Sequence, residues 1–147
     1  MPTRVSFLFF LGIFVVGSTA LGYYYYFVYS PPLKAAEQFM DAMEAKNEQA
    51  LKAGVIVTSD IEEDMLREPA ESDLRELISE DFRRGRILDQ RRREGRTRDF
   101  WYLVYREPDG RVFALIATEM DGRFRIVIPD NPTGQRRRYL WDYTWTN

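Results

Sequence analysis

Cysteine and histidine are both absent from this 147-residue chain. Without cysteine there are no disulfides, no thiolate nucleophile and no palmitoyl or prenyl anchor. Without histidine the chain lacks the commonest general base and the commonest transition-metal ligand. Ser-His-Asp and Cys-His catalytic sites, Cys/His zinc sites and His- or Cys-ligated haem are therefore excluded. No glycine-rich phosphate loop and no internal repeat occurs. The acidic run at 60–64 lacks the spacing and the glycine of a calcium loop, so it reads as a solvated helix start. The expected catalytic, metal-ligating and cofactor-binding sets are empty.

What is present first is a long apolar run. Residues 5–29 carry no charged side chain and end in Tyr23-Tyr24-Tyr25-Tyr26-Phe27-Val28-Tyr29. A bilayer core of about 30 Å needs about 20 apolar helical residues, so this run is long enough to cross it. Tyrosine has an apolar ring and a polar tip and favours the headgroup level. The cluster suits an aromatic belt that fixes helix height, the alternative being a binding strip for a neighbouring helix, pigment or lipid. Gly12, Gly17 and Gly22 recur every five residues and share no face, so they form no small-xxx-small motif. A cleavable signal peptide would use Ser18-Thr19-Ala20 as its cleavage site. The apolar run continues nine residues past Ala20, which favours a retained anchor. Flanking positive charge is nearly balanced. A short tail before an early apolar run behaves as a signal anchor. The expectation is a single pass through the inner membrane, with the C-terminal domain in the periplasm.

Net charge is −2, but its distribution is uneven. Residues 31–82 hold five basic and fourteen acidic side chains; residues 83–147 hold fifteen arginines and nine acidic side chains. Either the acidic helices cover the basic half, or the two halves steer different partners. Arginine suits bidentate pairing with carboxylate or phosphate.

Along the chain the pattern predicts helices first and strands afterwards. Ser30 and Pro31 fit a helix start. Apolar residues from Leu33 to Leu51 recur at helical spacing, predicting a helix over 32–53 stopped by Gly54. Val55-Ile56-Val57 fits a strand or a buried connection. A weak helix is expected over 60–67, and a firmer one from Ser72 to a stop at Gly85. Residues 86–93 read as an exposed, arginine-rich edge strand. Phe100 to Tyr105 is apolar on both faces and suits a central strand. Val112 to Thr118 follows, then an Asp121-Gly122 hairpin, then 123–128. This order implies an α+β fold with a curved antiparallel sheet. The expected organisation is an anchor over 1–30, a domain over 31–129 and a tail over 130–147.

The tail carries Arg136-Arg137-Arg138 and then Tyr139, Trp141, Tyr143 and Trp145 at alternate positions. Alternation suggests an extended segment with one aromatic face. It fits a last strand on the domain's own sheet, or an arm docked on a partner or the membrane interface, since aromatics and arginine are enriched at interface centres. The candidate contact residues are thus Tyr23, Tyr24, Tyr25, Tyr26, Tyr29, Arg136, Arg137, Arg138, Tyr139, Trp141, Tyr143 and Trp145.

The run Ala35-Ala36-Glu37-Gln38-Phe39-Met40-Asp41-Ala42-Met43, with 47–51 after it, resembles the opening helix of the nuclear transport factor two-like superfamily. The segments 100–105, 112–118, Asp121-Gly122 and 124–128 are similar to its closing meander. The resemblance covers about 33–129 and implies a cone-shaped α+β domain, here of a membrane-anchored type. Ketosteroid isomerase-like relatives use an Asp base with Tyr and protonated Asp donors. Asp99, Tyr102 and Tyr105 are the residue types such a site needs, but no spacing joins them, and no catalytic residue is carried over.

These features lead to the expectation of a non-catalytic accessory subunit. It would stabilise a multi-subunit membrane complex, such as a respiratory or photosynthetic assembly. Its partners would be other membrane subunits and the lipid bilayer, not nucleic acid. The alternative is a membrane-anchored domain whose cone binds a small apolar ligand.

Overall fold

The computed structural model describes residues 2–25, 30–61, 65–130 and 138–142. The chain divides into two compact units, Met1–Pro31 and Pro32–Asn147.

The first unit is built on α1 (Pro2–Tyr24). Its segment Arg4–Tyr24, 21 residues, is long and apolar enough to cross a membrane. Side chains from Arg4 to Tyr25 are all exposed. Thr19 Oγ1 donates to the Val15 carbonyl at 2.8 Å, which satisfies the hydroxyl within the helix itself.

Two helices follow, α2 (Ser30–Ala45) and α3 (Glu48–Gly54), where the spacing predicted one helix over 32–53. The break has a local cause. Lys46 adopts φ 51°, the left-handed region. The Lys46 and Asn47 amides then donate to the Met43 and Ala42 carbonyls, closing α2 with a Schellman-type cap. Asn47 next caps α3, its Oδ1 accepting from the Ala50 amide at 3.2 Å.

Strands β1 (Val55–Thr58) and β2 (Leu66–Arg67) follow, then α4 (Glu71–Ser79). The weak helix expected over 60–67 is not what Leu66 and Arg67 form; they pair with Thr58 and Val57 as a strand. The remaining strands are β3 (Arg86–Glu94), β4 (Asp99–Arg106), β5 (Val112–Met120), β6 (Arg123–Pro129) and β7 (Trp141–Asp142). They form one sheet in the order β2-β1-β6-β5-β4-β3, with β7 beside β5.

The sheet is mixed, which corrects the antiparallel expectation. β1 runs parallel to β6, Val55 opposite Ile126 through Thr58 opposite Pro129. The meander from β3 to β6 leaves the outer edge of β6 unpaired. β1 is buried at every position and can meet that need only inside the sheet. The Asp121-Gly122 turn has positive φ at both residues, 53° and 77°, as a two-residue type I′ hairpin requires. β3 is an edge strand, and its bulge leaves Leu88 outside the register.

Both sheet faces are covered. Trp101, Leu103, Tyr105, Leu115, Ala117, Ile126 and Ile128 join Phe39, Met40 and Met43 of α2 and Leu74 and Leu77 of α4 in the larger core. Phe100, Tyr102, Ala114, Ile116 and Val127 form a second core on the other face with Ile56, Ile61 and Trp141. This is the period-two alternation of a strand with both faces apolar. Each fully buried Leu or Ile here contributes about 1.5–3 kcal/mol.

Gly85 is not the helix stop that the sequence suggested, since α4 ends at Ser79. It is a close-approach residue. A Cβ there would lie 2.3 Å from the Arg106 carbonyl and 2.5 Å from the Tyr105 ring. The Gly85 amide donates to the Tyr105 hydroxyl at 2.7 Å, and that hydroxyl donates to the Arg83 carbonyl at 3.2 Å.

Candidate functional site

The domain's most concentrated chemistry is a set of arginine–carboxylate contacts around the start of α4. Asp73 lies in the first turn of that helix and is buried. One of its oxygens accepts from the Ala70 amide and from Arg67 Nη1, each at 2.8 Å. The other accepts from Arg138 Nη2 at 2.9 Å. Arg67 reaches on to Asp130 at 2.5 Å. Arg138 also donates from Nε to Glu76 at 2.6 Å, and its backbone amide donates to Glu80 at 3.1 Å. Four segments distant in sequence are thereby tied: β2, α4, the end of β6 and the returning segment at 138.

Burial pushes the Asp73 carboxyl up. The Arg67 bond, the Ala70 amide and the charges of Arg67 and Arg138 outweigh it and hold Asp73 below the usual range. Bonds to Asp73 and Asp130 raise Arg67 above its ordinary value. Asp73 is thus a fixed anion near neutral pH, unsuited to proton transfer there.

Two further pairs follow the same logic. Arg125 binds Glu68 with both terminal nitrogens, at 2.6 and 2.7 Å, and donates to the Val55 carbonyl at 2.6 Å. The Arg125 bonds hold Glu68 below the usual carboxylate value, although partial burial opposes this. Arg84 donates to Asp41 at 2.7 Å and Glu44 at 2.9 Å on α2, and these partners raise its pKa. Each contact joins the acidic first half of the chain to the arginine-rich second half. The uneven charge distribution is used, at least here, to close the domain on itself.

The residue types of an isomerase-like site are not brought together. Asp99 opens β4 and is bound by Arg92, whose Nε lies 2.9 Å from it. Tyr102 faces the smaller core, and Tyr105 the larger one. Three positions apart on one strand, the two hydroxyls lie on opposite sides of the sheet. Among the described residues no group of three or more carboxylates has the arrangement of a metal site.

Of the candidate contact residues, Tyr23, Tyr24 and Tyr25 are exposed at the end of α1. Tyr26, Tyr29, Arg136, Arg137, Tyr143 and Trp145 lie outside the described residues. Arg138, Tyr139 and Trp141 are buried in the domain itself. Tyr139 packs in the larger core against Phe39 and Phe82, with ring centroids 5.6 Å from each. Trp141 sits on the opposite face, its Nε1 donating to the Val127 carbonyl at 2.9 Å. All three pack within the domain, and of them only Trp141 belongs to a strand, β7. They do not share one aromatic face, because only Trp141–Asp142 is strand and the chain bends before it.

Sequence reasoning put Asp73 in the first turn of a helix but did not join it to Arg67 and Arg138, nor Arg125 to Glu68. The available signal was charge segregation, which names the halves and not the partners.

No protein-family model, curated protein or solved structure matches this chain.

Proposed function

We propose that this protein is a non-catalytic, single-pass accessory subunit of a larger membrane complex. Its α1 helix lies in the inner membrane beside partner helices, and its domain braces surfaces outside the cytoplasm. The observation that carries the reading is a contrast between the two units. In the described domain, the buried carboxylate and arginines hold its own segments together, and both faces of the sheet are filled by its own side chains. On α1, the side chains from Arg4 to Tyr25 are exposed and largely apolar, as a helix set in lipid or among other helices would be. Tyr23, Tyr24 and Tyr25 stand at the end where a headgroup or neighbouring helix would meet them. The opening helix α2 and the β4–β6 meander support a cone-like domain of the nuclear transport factor two-like type. An energy-converting assembly is one host that fits.

Purification from native membranes in mild detergent tests this. Co-migration with larger partners on a native gel is the expected result; migration only as a free monomer overturns the reading. Protease treatment of spheroplasts should degrade the domain, and its protection would reverse the orientation.

A second reading, an anchored ligand-binding domain, is favoured by one observation. A cleft of about 450 Å³ opens beside α2 and α3, outside the filled core.

A further inference from the structure

The cleft is bounded by Ala42 and Ala45 of α2 and by Ala50 and Ala53 of α3, with Phe39 and Phe124 on its core side. Its 450 Å³ falls within the about 300–1,000 Å³ of ordinary small-molecule sites. The side chains along the helices are short because methyl groups stand where longer residues would close the space. The lining is mostly apolar, and its two charged residues differ in state. Asp41 is neutralised by Arg84 at 2.7 Å. Arg123 is exposed and, among the described residues, donates to the Ala53 carbonyl at 3.1 Å.

Arg123 also lines an adjoining hollow of about 400 Å³ with Lys52, Arg125, Glu68 and Asp121. Three cations there face two carboxylates, leaving one positive charge in excess. Arg125 is committed to Glu68. No ion pair within 4.0 Å joins Lys52 or Arg123 to a carboxylate among the described residues. An apolar trough thus ends at the Arg123 guanidinium, with Lys52 in the adjoining hollow near enough for its charge to act on Glu68.

We propose that this place binds an amphipathic monoanion of the fatty-acid class. Its acyl chain lies between α2 and α3, and its carboxylate meets Arg123 and Lys52. The apolar lining fits a hydrocarbon chain. The planar guanidinium fits a carboxylate in a two-bond fork. The single excess charge matches a carboxylate better than a doubly charged phosphate. A bilayer around α1 would be a reservoir for such a ligand. The site rests on the second functional reading and is independent of the host complex.

The test uses the full chain in zwitterionic nanodiscs with a diazirine-bearing dodecanoate. After irradiation, the labelled peptides are mapped by mass spectrometry. Label should concentrate within 35–54 and at 123–124. Arg123→Gln should reduce it about tenfold, the loss expected for a charge-assisted bond. Ala50→Leu, at an exposed position, should fill the trough and reduce it comparably while leaving the thermal transition unchanged. A diazirine-bearing dodecanol should label the cleft weakly. Equal labelling by the alcohol overturns the anion subsite. Label confined to α1 overturns the site and the ligand-binding reading together. Label elsewhere on the domain overturns the site alone.

Discussion

Arg138 and Asp73 meet at 2.9 Å with side chains only 5% and 7% exposed, joining residues 65 positions apart. A charge pair so deeply buried stabilises a fold only while both members are present. Loss of Arg138 leaves the buried Asp73 carboxylate with Arg67 and the Ala70 amide alone.

Arg138→Ala is therefore expected to destabilise the domain by about 1.5–3 kcal/mol. Urea unfolding followed by tryptophan fluorescence measures this. Pairing Arg138→Met with Asp73→Leu should regain part of the loss, because the buried charges go together and the half-exposed Arg67 can be solvated. A double variant weaker than the single one would refute the account.

Asp73 and Glu68 also set a direction for acid sensitivity. Both carboxyls lie below their ordinary values of 3.8 and 4.5 in the folded chain. Stability from a depressed carboxyl is fully present above the unfolded value and is lost as pH falls through the folded one. Stability should thus hold at neutral pH and decline from about pH 4 downward. Asp73→Asn should be less stable at pH 7 and show a flatter acid limb in denaturation curves taken at a series of pH values.

Glycine positions separate packing from backbone effects. Gly85→Ala places a methyl group against the Arg106 carbonyl and the Tyr105 ring, and should destabilise by about 1–3 kcal/mol. Gly54→Ala meets nothing within 4 Å and should be neutral within about 0.5 kcal/mol or slightly stabilising. Thermal melts of the two variants check the contrast.

Trp141 tests whether the returning segment belongs to the domain. Trp141→Phe keeps a ring and loses the bond to Val127, costing about 1 kcal/mol. Trp141→Ala should cost about 3–5 kcal/mol. Stability unchanged by the alanine variant would mean the segment is dispensable.

Membrane attachment makes its own prediction. Val15→Arg puts a charge near the middle of α1, at about 2.5–3.5 kcal/mol for insertion. More of the protein should leave the membrane fraction on alkaline carbonate washing. Deleting residues 2–25 should release the domain with its unfolding transition within about 0.5 kcal/mol, since its two cores are built from residues within 33–141.

The division between what was legible in the chain and what was not runs along the distance over which each interaction acts. The apolar helix, the turn at Asp121-Gly122, the edge strand from Arg86 and the doubly apolar strand from Phe100 were readable, because spacing and turn residues act over a few positions. The helix break at Lys46 was not, because no glycine or proline marks a left-handed residue that its cap stabilises.

By itself the sequence determined the α+β class, the single long apolar helix and the exclusion of cysteine and histidine chemistry. Composition and periodicity are properties of the unfolded chain. Only the tertiary structure decided that β1 lies parallel to β6, that Asp73 meets Arg67 and Arg138, and that Tyr139 and Trp141 fall on opposite faces of one sheet. Each of these depends on which distant segments can fill the same space, and charge or hydrophobicity alone does not distinguish one arginine or one aromatic ring from the next.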